Sequence, residues 1–153
     1  MVRIDGEIVI NRPVDKVFDF VADARNEPRY NPRMLRAEKL SPGSVGLGTR
    51  FRDEVRSLRR RAEIRIEVVG YDRPRRLALS IDMASMHIRG TLAFQPVADG
   101  TRMRWSWELA PCGVLKLLTP LIARLGRRQE QAIWASLKRC LEAEPTVTSA
   151  GAR

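Results

Sequence analysis

Between residues 34 and 109 apolar and polar side chains alternate almost one by one, and this two-residue period predicts strands at 34–40, 48–57, 62–71, 76–83, 86–96 and 101–109. The breaks are Ser41-Pro42-Gly43, Ser57 to Arg61, Asp72-Arg73-Pro74, Ala84-Ser85 and Ala98-Asp99-Gly100. Connections this short join antiparallel neighbours, so the segment reads as a meander. One phase collects Ile64, Ile66 and Val68, then Leu77, Leu79 and Ile81, then Ile88, Leu92 and Phe94, then Met103, Trp105, Trp107 and Leu109. The other carries Glu63, Arg65, Glu67, His87, Arg89, Arg102, Arg104 and Glu108, so the sheet has one dry face and one wet face. Ahead of the meander, Val2, Ile4, Ile8 and Ile10 mark another strand, with Gly6 on its dry phase. Asn11-Arg12-Pro13 ends it, and Val14, Val17, Phe18 and Val21 recur at helical spacing. Pro28 and Pro32 allow only a single turn or a short second helix after that.

Beyond Pro111-Cys112-Gly113 the period becomes that of a helix running to about Glu142, with bends expected at Pro120 and Gly126. Leu118, Ile122, Leu125, Gln129, Ile133, Leu137 and Leu141 form its inner stripe. Residues 1–143 read as a single α+β domain and 144–153 as a flexible tail. A chain of 153 residues needs only one core.

Composition adds mainly exclusions. The apolar stretch Val114 to Leu125 is interrupted by Lys116, Pro120 and Arg124 and is too short to cross a bilayer. The N-terminus lacks a signal-peptide apolar region. Cys112 and Cys140 fall near opposite ends of the last helical segment, too far apart to bridge, and two free thiols fit a cytoplasmic protein. The net charge of +10 raises nucleic acid as a partner. The arginines are interleaved with Glu63, Glu67, Asp82 and Glu108, however, and the run Arg59-Arg60-Arg61 falls in a turn without an aromatic platform, so no nucleic-acid partner is expected. His87, the single histidine, lies on the wet phase, and with two separated cysteines it cannot assemble a tetrahedral zinc site; no metal or cofactor is expected. Gly43, Gly46 and Gly48 join two strands and do not open a helix, which suits turn geometry or a gate, not a phosphate loop.

The order strand, two short helices, six strands and one long amphipathic helix is what a helix-grip fold requires: a curved seven-stranded antiparallel sheet wrapped around a C-terminal α-helix. Four segments, Ile10 to Asp23, Arg29-Tyr30-Asn31-Pro32, Val45 to Phe51 and Asp99 to Met103, stand in the order and spacing by which the chain resembles the SRPBCC superfamily of START and Bet v 1-like proteins. Within it the chain is similar to the bacterial polyketide cyclase/dehydrase-like branch; Tyr30 stands where such proteins often have Trp. The resemblance implies a cavity between sheet and helix for lipids, sterols, polyketides or other apolar ligands, but members differ in activity and the fold names no reaction.

Such a cavity would be walled by Phe51, Val55, Ile64, Ile66, Leu79, Ile81, Met86, Ile88, Leu92, Trp105 and Trp107 from the sheet and by Leu118, Ile122 and Leu125 from the helix; ordinary core packing is the alternative for each. Asp53 shares the inward phase of Phe51 and Val55, and a carboxylate there would serve as catalytic acid, base or ligand anchor. The alternatives are a bulge that turns Asp53 outward or an ion pair with Arg33. Tyr30 and Gln129 are neutral candidates for hydrogen bonds to a ligand. The stretch Val114 to Arg128, with Lys116, Arg124, Arg127 and Arg128 flanking several leucines, suits either transient contact with an anionic membrane or a helix gripped on two sides. The expected function is binding or carriage of a hydrophobic small molecule or lipid by a monomer or homodimer. Entry is expected between Tyr30, the Gly43–Gly48 loop and the start of the last helix. A polyketide aromatase/cyclase-like enzyme using the same cavity, and a solid-core interaction module, are the alternatives.

Overall fold

The computed structural model describes residues 2–57 and 59–144. Strand β1 (Val2–Ile10) is followed by helix α1 (Val14–Ala22) and a 3₁₀ segment, Ala24–Arg29. The meander comprises β2 (Met34–Lys39), β3 (Arg50–Ser57), β4 (Arg60–Asp72), β5 (Arg76–Met83), β6 (Met86–Val97) and β7 (Gly100–Pro111). A second 3₁₀ segment, Gly113–Leu118, leads into α2 (Thr119–Ala143). The strands are antiparallel in the order β1-β7-β6-β5-β4-β3-β2. Because β1 and β2 lie on opposite edges, α1 and the first 3₁₀ segment must carry the chain across the open side of the sheet. Register shifts between Met34 and Arg36 and between Val68 and Gly70 mark irregularities of the kind that add curvature. The result is the expected helix-grip arrangement, with α2 packed on β1 and the first 3₁₀ segment on β2.

The alternation read from the sequence is realised residue by residue in β7, where Thr101, Met103, Trp105, Trp107, Leu109 and Pro111 are buried while Arg104 and Glu108 are exposed. Two close approaches join β1, β7 and β6 at one side of the sheet. Trp105 pairs with Gly6 and Trp107 with Gly90, and a Cβ on either glycine would lie 2.2 Å from the indole beside it. The wet face carries cross-strand ion pairs such as Arg104–Glu7 (2.9 Å) and Arg52–Glu38 (2.8 Å), exposed pairs worth about 0–1 kcal/mol each. His87 sits there between Asp82 and Arg89.

The long helix departs from its expected description. Pro120 starts α2 in its first turn, where its missing N–H costs nothing, and Gly126 lies within the uninterrupted helix. Of the expected inner stripe, only Ile133, Leu137 and Leu141 are fully buried, joined by Trp134. Leu118 and Leu125 are 47% and 56% exposed. The C-terminal half of α2 is therefore gripped in a solid core and the N-terminal half is not. Phe18 anchors another part of that core, edge-on to Phe94 and Tyr71 at ring separations of 5.1 and 5.3 Å.

Arg60 and Arg61 belong to β4, not to a turn. Glu144, expected to open the tail, is tied down: its carbonyl accepts from Arg12 (2.6 Å) and its carboxylate pairs with Arg29 (2.6 Å). Residues 145–153 of the expected tail lie outside the described residues. Cys112 and Cys140 are both free. Among the described residues no helix is long and apolar enough to cross a membrane.

Candidate functional site

Where α2 stands away from the sheet, a cavity of about 410 Å³ opens. A packed interior leaves few voids larger than a water molecule, so this volume is not a core imperfection and the solid-core alternative does not hold. Its sheet wall is built by Phe51 and Val55 of β3, Ile64 and Ile66 of β4, Leu79 and Ile81 of β5, Met86, Ile88 and Leu92 of β6, and Trp107 of β7. Ile122, Leu125 and Gln129 face them from α2, and Tyr30 closes one side.

Three expected site residues fall elsewhere. Trp105 is core: it lies over Gly6 and against the Trp134 ring at 5.9 Å, because the missing side chain at residue 6 gives the indole room to settle against β1. Leu118 precedes α2 in the second 3₁₀ segment and faces outward. Asp53 is not on the cavity wall and borders a separate polar hollow with Arg36, Glu38, Arg52 and Glu54. Its carboxylate nevertheless turns inward. Asp53 is 1% exposed, both oxygens are closed off, and neither has a hydrogen-bond partner. Neither a bulge nor Arg33 relieves it: β3 pairs in register there with Ile64, and Arg33 Nη1 donates to Gln129 Oε1 at 2.8 Å. Burial, with the negative charge of Glu27 adding to it, pushes the Asp53 carboxyl up to about 8.

The mouth also differs from expectation. The exposed members of the wall are Arg33, Arg56, Ser57 and Leu125, and the Gly43–Gly48 loop contributes nothing to the wall. Arg56 N–H donates to the Arg33 carbonyl at 2.8 Å, which ties the end of β3 to the chain entering β2. The Arg33–Gln129 hydrogen bond then spans from that rim to α2.

Two wall carboxylates were not anticipated. Glu130 Oε2 accepts both indole N–H groups, from Trp107 at 3.0 Å and Trp134 at 2.9 Å. Burial pushes its carboxyl up to about 7, although these two donors pull it down. Glu27 Oε1 accepts from Asn31 Nδ2 at 2.9 Å, and burial raises its carboxyl too. Tyr30, 5% exposed, is held far above the usual phenol range by burial and by the charges of Glu27, Glu130 and Asp53, so it stays neutral. The Trp134–Glu130 spacing of four residues was the one readable signal, since it puts both on one helix face. Glu27 sits in a 3₁₀ segment whose period predicts no inner face. Among the described residues no cluster suits a metal ion.

Residues 1–142 match the family described as polyketide cyclase / dehydrase and lipid transport. A comparison with curated proteins gives no match. A START superfamily protein from Mycobacterium smegmatis superimposes with a TM-score of 0.79 at 11% identity, covering 92% of this chain and 97% of that one. A protein from Thermus thermophilus gives 0.76 at 19% identity, over 94% and 99%. The di-domain ARO/CYC BexL of the BE-7585A biosynthetic pathway gives 0.75 at 21% identity; 93% of this chain matches 47% of that one. At these identities the likeness is one of fold.

Proposed function

The chain belongs to the polyketide cyclase / dehydrase and lipid transport family, and from that premise we propose that it binds and carries a hydrophobic small molecule or lipid in the cavity beneath α2. The observation that carries this reading is the 410 Å³ space with apolar walls on both sides, within the range of small-molecule pockets. An apolar guest gains roughly 25 cal/mol for every Å² it removes from water, without displacing any packed side chain. Ile81→Trp, which fills the cavity from β5, tests it: saturable binding of a hydrophobic dye should disappear while the thermal transition is kept. Undiminished dye binding would place the guest elsewhere.

Loading from an anionic lipid surface is supported by the apolar side chains that the second 3₁₀ segment and the start of α2 leave outside. Val114, Leu117 and Leu121 are 80%, 84% and 52% exposed, in a segment that also carries Lys116, Arg124, Arg127 and Arg128. Leu117→Glu with Leu121→Glu should abolish co-sedimentation with phosphatidylglycerol vesicles and leave dye binding intact. The free thiols of Cys112 and Cys140 support a reducing compartment, the cytoplasm, as the setting.

A second reading, a cyclase-type enzyme, is favoured by one observation: Glu130 stands on the cavity wall with Oε1 accepting no hydrogen bond from a described residue, and burial pushes its carboxyl up to about 7, where an acid can donate a proton near neutral pH. It requires that Glu130→Gln abolish turnover of a poly-β-ketone while binding persists.

A further inference from the structure

The cavity wall is acidic away from its exposed rim, and among the described residues no basic side chain lines that part of it. Glu27 and Glu130 lie on its wall, and Asp53 stands in phase with the wall residues Phe51 and Val55. Of the six carboxylate oxygens, only Glu27 Oε1 and Glu130 Oε2 accept a hydrogen bond from a described residue. The guanidiniums on the wall, Arg33 and Arg56, are both exposed at the mouth, and Arg33 is engaged with the neutral Gln129. Asp53 is almost fully buried with both oxygens unbonded, an arrangement that folding alone penalises. Around these groups stand Tyr30, Trp107 and Trp134, whose rings offer π faces to a positive charge.

Neutral amides at these positions would have met the hydrogen bonds of Asn31 and the two indoles at lower cost. What carboxylates add is attraction for a cation, strongest where water is excluded. We propose that this part of the cavity recognises the ammonium group of a lipophilic amine, with the amine's apolar body lying between β4–β6 and α2. Glu130 Oε1, which accepts no hydrogen bond from a described residue, is the first contact, and Glu27 adds a second charge at the wall. The inference deepens the proposed binding function and rests on it.

The test uses four guests with the same tail, decylamine, decyltrimethylammonium, decanol and decanoic acid, each displacing a hydrophobic dye from the full chain at neutral pH. Both cations should bind about tenfold more tightly than decanol, a gap of ~1.4 kcal/mol, with decanoic acid weakest. Glu130→Gln should remove most of that advantage, read as the ratio of cation to decanol affinity; Glu27→Gln, the other wall carboxylate, is read in the same way if Glu130→Gln does not fold. Decanol matching the cations would mean that the carboxyls act as neutral donors, and decanoic acid binding best would mean that the rim arginines choose the guest. Either result overturns the amine inference while the cavity reading stands. If none of the four displaces the dye, the cavity reading fails and the inference falls with it.

Discussion

Asp53→Asn separates the cost of a buried charge from the cost of a buried shape. The Asp53 carboxyl rises from 3.8 to about 8 on folding, so the native state holds its proton more tightly than the unfolded chain does. Stability therefore falls wherever the native state binds the extra proton, from about pH 4 up to about pH 8, and the loss is complete above the folded value. Each pH unit is worth ~1.4 kcal/mol, so by pH 7 the ideal penalty is roughly 4 kcal/mol. Local relaxation and water entry trim it to about 2–4 kcal/mol. Asparagine occupies the same volume and does not titrate, although its unbonded amide still costs about 1–3 kcal/mol at every pH. The quantity to follow is therefore the difference in unfolding free energy between variant and wild type. Urea titrations at pH 5, 7 and 9 should show it moving in the variant's favour as pH rises, then levelling. The negative charge of Glu27, in the first 3₁₀ segment, adds to the burial that raises Asp53, so the trend carries that repulsion as well as the loss of water. A difference independent of pH, or one that moves against the variant, would refute the burial of an unpaired carboxylate at this position.

Other perturbations follow from single contacts. Gly6→Ala drives a methyl to 2.2 Å from Trp105, a ring that Trp134 and β1 hold in place, and should cost about 1–3 kcal/mol in denaturant unfolding. Gly126→Ala should be nearly neutral by the same measurement: its methyl meets only the tip of Ile4 at 2.6 Å, and alanine recovers about 1 kcal/mol of helix propensity. Trp134→Phe removes one of the two donors that hold Glu130 down, so the Glu130 carboxyl should titrate higher, checked by carboxyl NMR shifts. Arg33→Ala cuts the bond that spans the mouth to Gln129, and stopped-flow should show dye entering and leaving faster with little change in affinity.

The strands were legible because their signal is local. A two-residue alternation sends Met103, Trp105, Trp107 and Leu109 to one side whatever the rest of the chain does, and Asp53, riding in phase with Phe51 and Val55, went inward with its strand. The apolar side of α2 was legible in the same way, but its distance from the sheet was not. Leu118 and Leu125 carry the same periodic signature as Leu137 and Leu141, yet only the latter two reach the core. Trp105 looked like a wall residue because nothing near it in the chain tells that Gly6, 99 positions away, makes room for its ring. Glu27 and Glu130 escaped notice for a related reason. A carboxylate off the apolar stripe reads as solvated, and only the closure of α2 and the first 3₁₀ segment over the same space turns it inward. Sequence by itself thus determined which residues alternate, which helix is amphipathic and which side of each element is dry, since these depend on neighbours within a turn or two. Tertiary structure alone decided where the dry sides meet, where they stand apart, and which charges line the gap, because those depend on contacts between elements far apart in the chain.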